Sequence, residues 1–158
     1  MTETRVPVLA VILSAAGLIP FVGCALLAVR ADPVHGAVSA IALINYGAVV
    51  LAFLGGVHWG FVMEGQEAPA ERQRLVLGTV PALIGWIASL LGTNAHPVFG
   101  IALLIAGFVT TAVVEHRARR LDLMPHGYMM LRWVMTCIVT LLLATVLVVR
   151  MVGGYLIF

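Results

Sequence analysis

Apolar residues along this chain come in long unbroken blocks, separated by short polar punctuation. Five blocks, residues 6–29, 36–63, 75–91, 98–114 and 129–149, reach the roughly 17–25 residues that a helix needs to cross about 30 Å of hydrocarbon. The pattern predicts an all-α integral membrane bundle of about five transmembrane helices, forming a single domain over 1–158. The first block carries Gly17 and Pro20 near its middle. A proline there lacks an N–H and crowds the preceding turn, so a kink is expected near Leu18–Phe21. The second block is long for a span and should tilt or emerge at one end. The third is short and holds Pro81 and Trp86, and the fourth follows the turn signal Asn94-Ala-His-Pro97. The polar stretch 115–128 reads as a short interfacial helix whose arginines meet anionic lipid head groups, or as a loop that docks a partner. Residues 151–158 are apolar but too few to cross.

Composition agrees with this pattern. The chain is 62% hydrophobic and 10% charged, against about 45–50% and about 25% for soluble domains. A net charge of +2, spread over the chain, excludes nucleic acid as a partner. All nine basic residues are arginine. In a five-span topology Arg5, Arg72, Arg74, Arg117, Arg119, Arg120 and Arg132 fall on one side, and only Arg30 and Arg150 on the other. The positive-inside rule then predicts a cytoplasmic N-terminus and an external C-terminus. The N-terminal residues match neither a cleavable signal peptide nor an Arg- and Ser-rich transit peptide, which favours a bacterial inner (cytoplasmic) membrane. Cys24 and Cys137 sit near opposite membrane faces, too far apart for a disulfide.

The stretch 45–60 is the densest in information. Ala48, Ala52, Gly56 and Gly60 recur at four-residue spacing and predict a low ridge on which another helix can pack closely. His58 lies about 200° around the helix from Gly56 at about 100° per residue, away from that ridge. An ionisable ring at membrane depth is a functional hypothesis by default. His58 reads first as a structural hydrogen-bonding group, then as a ligand or proton site with Trp59 beside it, and last as a haem or metal ligand. His35 and His96 belong to the other side, and no HxxxH or CxxC spacing accompanies His58, so no metal is predicted. Tyr46 stands about 18 Å from His58 along the axis and cannot share its site; with Asn45 it should bond neighbouring backbone or water. Glu115 ends the fourth span and Arg132 begins the fifth, so an interfacial ion pair is expected. With His58 and Glu64 they outline a polar cytoplasmic cluster.

Several pieces, Gly17-Leu-Ile-Pro-Phe21, Tyr46-Gly-Ala-Val-Val-Leu-Ala-Phe-Leu-Gly-Gly-Val-His-Trp-Gly60, Pro81-x4-Trp86 and Tyr128-x3-Arg132, resemble a family of small bacterial and mitochondrial inner-membrane proteins catalogued as a domain of unknown function. The likeness runs over nearly the whole chain, and its glycine-rich His-Trp-Gly part is the most specific. It implies a helical, polytopic inner-membrane protein and carries no activity with it.

The sequence has no Walker loop, no GxSxG, no HExxH and no paired intramembrane carboxylates. The leading functional expectation is therefore a non-catalytic accessory or assembly subunit of an inner-membrane complex, with the bilayer and other membrane subunits as partners. The alternative is a binder or carrier of a small molecule (quinone, haem or lipid) in a cytoplasm-facing pocket around His58. No resident cofactor is predicted.

Overall fold

The computed structural model describes residues 8–30, 33–63, 68–119 and 126–155. These form six helices: α1 (Val8–Ala16), α2 (Leu18–Arg30), α3 (Pro33–Met63), α4 (Ala68–Asn94), α5 (Pro97–Arg119) and α6 (His126–Tyr155). There is no strand among the described residues. α1 and α2 are the two halves of one span, Val8–Val29, broken at Gly17. The break lies just before the residues where the kink was expected. Pro20 supplies no N–H and its ring pushes against the carbonyl four residues earlier, so the helix parts at the first glycine upstream. The Tyr46 hydroxyl donates to the Gly17 carbonyl oxygen at 2.9 Å, tying the break to α3.

Four segments are long and apolar enough to cross a membrane: Val8–Val29, Val34–Gly60, Pro97–Arg117 and Met129–Val152. α4 is not among these four, and it packs along α3. Gly78 meets Gly55, Gly85 meets Ala48 and Gly92 meets Ile44, so α4 runs antiparallel to α3 and occupies the same depth. Its opening turns, Glu71-Arg-Gln-Arg74, are helical and polar, which dilutes the hydropathy of the element. Polar residues 115–119 likewise extend α5 and do not form a separate interfacial helix. Residues 120–125, with the rest of that expectation, lie outside the described residues.

α2, α3, α5 and α6 surround the core, and α4 lies in the groove between α3 and α5. Phe21 is the centre of this core, edge-on to Tyr46 (5.0 Å between centroids) and to Phe108 (6.2 Å). Buried positions recur in alternating steps of three and four. They are Gly78, Pro81, Gly85, Ala88 and Gly92 on α4; Ile101, Leu104, Phe108, Thr111 and Glu115 on α5; and Met129, Arg132, Thr136, Val139, Leu143 and Val146 on α6. A repeat of about 3.5 residues is the seam of helices packed at shallow left-handed angles.

This periodicity corrects the predicted four-residue ridge. Four residues advance a helix by about 400°, so the ladder drifts about 40° per step and Gly60 ends about 120° around from Ala48. Seven residues drift only about 20°. The tight α3–α4 contact accordingly uses Ala48 and Gly55. A Cβ on Gly85 would stand 2.8 Å from the Ala48 carbonyl oxygen, and one on Gly55 would overlap the Gly78 backbone. Ala52 is half-buried, whereas Gly56 and Gly60 are exposed and face open space. The glycines opposite, Gly78, Gly85 and Gly92, repeat at seven residues, as do Gly100 and Gly107 on α5. That spacing is the sequence signal for the true seam. Ser89 adds a polar link here, donating to Asn45 Oδ1 at 2.6 Å. Cys24 and Cys137 are free thiols.

Candidate functional site

The inward stripes of three helices change from apolar to polar at one end of the bundle. On α3 the buried positions Ile44 and Leu51 are followed, at the same seven-residue step, by His58. On α5 the stripe ends in Thr111 and Glu115, and on α6 it begins Met129, Arg132, Thr136. Because α5 and α6 are antiparallel and joined at this end, Glu115 and Arg132 come opposite each other. α3 brings His58 to the same depth.

The result is a continuous hydrogen-bonded chain. Arg132 Nε donates to Glu115 Oε2 at 2.8 Å, and Arg132 Nη1 donates to Thr136 Oγ1 at 3.0 Å. His58 Nε2 lies 3.1 Å from Glu115 Oε1. A carboxylate paired with an always-protonated guanidinium is ionised and can only accept, so Nε2 carries the proton and donates. Relative exposure is 0% for His58 and Glu115, 2% for Thr136 and 4% for Arg132. Charges removed this far from water are held by mutual pairing and by hydrogen bonds to the remaining polar atoms. Thr111 sits one turn from Glu115 but bonds its own helix, donating to the Gly107 carbonyl at 2.7 Å.

Two atoms of the cluster are left over. His58 Nδ1 and Arg132 Nη2 are buried and have no hydrogen-bond partner among the described residues. An unmade hydrogen bond on a buried group costs about 1–3 kcal/mol, and more when the group is charged. Beside Arg132 lies a partly open cavity of about 150 Å³. Its walls are mostly apolar, with Leu18, Phe53 and Phe108 among them, and Arg132, Thr136 and Ser14 also line it. The cavity reaches up to Gly17, where the first span breaks, and α1 beyond the break has no buried residue.

The residues expected in one cluster therefore divide. His58, Glu115 and Arg132 come together, while Glu64 lies outside the described residues. Trp59 is not part of the cluster: a residue step of about 100° turns it toward α4, where its ring lies over Gly78. Trp86 is exposed on the outer face. Thr136 was not anticipated, although its four-residue spacing from Arg132 places both on one helix face. Trp133, also unanticipated, donates through Nε1 to His116 Nδ1 at 3.4 Å, next to the cluster. Among the described residues no group of three or more His, Cys, Asp or Glu side chains is arranged to hold a metal.

Comparison with known proteins places the chain in a family. Residues 6–148 match the family described as "Protein of unknown function (DUF3429)", and the chain belongs to it. It is similar to transmembrane protein 69 of Xenopus tropicalis, 43% identical over 86 residues, which is 54% of this chain and 34% of the relative. It is also similar to transmembrane protein 69 of Mus musculus, 36% identical over 118 residues, 74% of this chain and 45% of the relative. The matches thus cover less than half the length of these relatives. No solved structure matches.

Proposed function

We propose that this DUF3429 member is a membrane-embedded binder of a lipid-soluble small molecule, held in the cavity beside Arg132 and oriented by the Arg132–Glu115–His58 cluster. The carrying observation is a mostly apolar cavity of about 150 Å³ whose lining includes Arg132 and Thr136, two members of the buried hydrogen-bonded cluster. Bound molecules are typically recognised by apolar walls with a few convergent polar groups. A ligand with a polar end could be oriented by the cluster residues on the wall, and its apolar remainder would lie against Leu18, Phe53 and Phe108. The polar cluster and its walls contain no nucleophile–base pair, which supports binding over catalysis. The arginine bias supports a site opening toward the cytoplasmic side of a bacterial inner membrane.

Purification in mild detergent, followed by extraction and mass spectrometry of what the protein retains, tests this reading. We expect a stoichiometric apolar molecule that is lost when Met135→Trp fills the cavity. A folded protein that retains nothing, and releases nothing on that substitution, overturns it.

A second reading, as an accessory subunit of a membrane complex, has one observation in its favour. Gly56 and Gly60 present small residues to open space on the outer face of α3, where a partner helix could approach closely. Co-purification of a stoichiometric membrane partner that Gly56→Leu removes is the expected result. Solitary behaviour of the gently solubilised protein counts against this reading.

A further inference from the structure

We propose that the lipid-facing side of α3 is a self-association surface, on which a second copy of this chain docks through a reciprocal pair of Asn45 amides. The proposal goes beyond the binding reading and uses nothing of the cavity. It starts from depth. Asn45 stands 11 residues from Val34 and 15 from Gly60 in a span of 27, about 16 and 23 Å at 1.5 Å per residue. A hydrocarbon slab of about 30 Å contains Asn45 wherever it is centred on that span. Yet the residue is exposed at the surface of the single chain. Its Oδ1 accepts from Ser89 at 2.6 Å, and its Nδ2 donates to nothing among the described residues. Thr79, Thr110 and Thr145 are also exposed, but each donates to a carbonyl one turn back on its own helix. Asn94, at the end of α4, does the same with its amide. An amide donor turned to hydrocarbon has no water to bond instead, and polar groups at membrane depth almost always face protein.

The chemistry of the group names its partner. A primary amide is donor and acceptor at once and pairs reciprocally with another, Nδ2 of each giving to Oδ1 of the other. Oδ1 has two lone pairs, so the bond from Ser89 leaves one free. The arginine bias supports one orientation for all copies, so the twofold axis relating two of them stands normal to the membrane. Such an interface is isologous, and equal residues meet at equal depth. A second copy thus brings an amide to Asn45 at the right level, whereas an unrelated helix would need its own polar residue there. The surrounding face has the matching period. Val38, Ala42, Asn45, Val49, Ala52 and Gly56 alternate in steps of four and three, the a and d positions of a left-handed helix pair. All but the half-buried Ala52 are exposed. Ala42, Ala52 and Gly56 are small enough to let two backbones close in until short amides reach each other. A single Asn on such a seam is also the device that fixes register and the number of chains.

The test uses the full chain in vesicles of neutral lipid. Energy transfer between copies fused to donor and acceptor fluorophores, followed as lipid dilutes the protein, reads the apparent dissociation constant. Asn45→Leu should weaken association at least about tenfold (about 1.4 kcal/mol) while remaining folded. Asn45→Gln keeps the amide and should stay within about threefold of the parent. Ala42→Leu leaves Asn45 and Ser89 untouched and should also weaken association, by blocking the close approach. In a Cys24→Ala, Cys137→Ala background, oxidation should cross-link copies through Val49→Cys and not through Leu141→Cys, which is exposed on α6. Protein that stays monomeric at every dilution overturns the proposal. So does association that Asn45→Leu leaves unchanged, or that cross-links through Leu141→Cys and not Val49→Cys. If the protein is solitary in vesicles yet retains a foreign membrane protein that Asn45→Leu releases, the amide is engaged by another occupant and the second copy is refuted.

Discussion

Arg132 and Arg150 lie on the same face of α6, 18 residues apart. That is five helical turns, or about 27 Å, close to the thickness of the hydrocarbon they would bracket. They stand at the two ends of one buried stripe, yet their surroundings differ completely. Arg132 is 4% exposed and holds Glu115 and Thr136 by directional bonds. Arg150 is half-buried and rests against Gly36 at the start of α3, with Nε and Nη2 unpartnered among the described residues. One arginine is built into the core by a countercharge from α5. The other lies near the Ala28 carbonyl in the last turn of α2, where a helix C-terminus is mildly attractive to a cation. The difference shows what an arginine in a membrane bundle requires. Deep placement needs a dedicated anion, whereas placement at the rim needs only room, which the missing side chain of Gly36 provides.

The sharpest way to break this contrast is to remove the countercharge. Glu115→Ala should destabilise the protein by roughly 3–5 kcal/mol, because Arg132 is left charged and uncompensated. A large drop in melting temperature in detergent is the readout. The paired substitution Glu115→Leu with Arg132→Met should recover most of that loss, since exchanging a buried pair for apolar residues is often nearly neutral. It should also abolish ligand binding. If the double variant is as unstable as Glu115→Ala, pairing is not the reason for the cost.

Next in size is the seam on α3 and α4, where the same contrast of partnered and open positions recurs in glycine. Gly85→Ala forces a Cβ to 2.8 Å from the Ala48 carbonyl oxygen, and overpacking of this kind costs about 1–3 kcal/mol. Gly56→Ala has open space and gains up to about 1 kcal/mol of helix propensity. Equal melting shifts for the two would refute the seven-residue register. Thr136→Val, which removes one acceptor from Arg132, should cost about 1–3 kcal/mol, the toll of an unpaired buried donor. The smallest effect belongs to the rim. Arg150→Met breaks no ion pair and removes two buried, partnerless nitrogens, so it should leave stability unchanged or raise it; a loss approaching that of Glu115→Ala would mean the two arginines are equivalent after all.

Membrane class and the all-helical character were legible in the chain because hydrocarbon demands long apolar segments whose backbone is satisfied internally. The proline-linked break in the first span and the Glu115–Arg132 pairing followed from elementary sterics and charge cost. The inward face of each helix was not legible. Lipid-facing and core-facing positions are equally apolar in such a protein, so no hydrophobic contrast marks the seam. The ladder Ala48–Ala52–Gly56–Gly60 looked continuous on paper. Helical drift and the glycines of α4 decided that Ala48 and Gly55 would carry the contact. His58 and Trp59 are likewise neighbours in sequence and strangers in space, since one residue step turns the first toward Glu115 and the second toward Gly78. The chain by itself determined which residues would be costly to bury. Only the packing of α3, α5 and α6 determined that three of them would share one site, beside a mostly apolar cavity, because that meeting depends on contacts between residues as far as 57 positions apart.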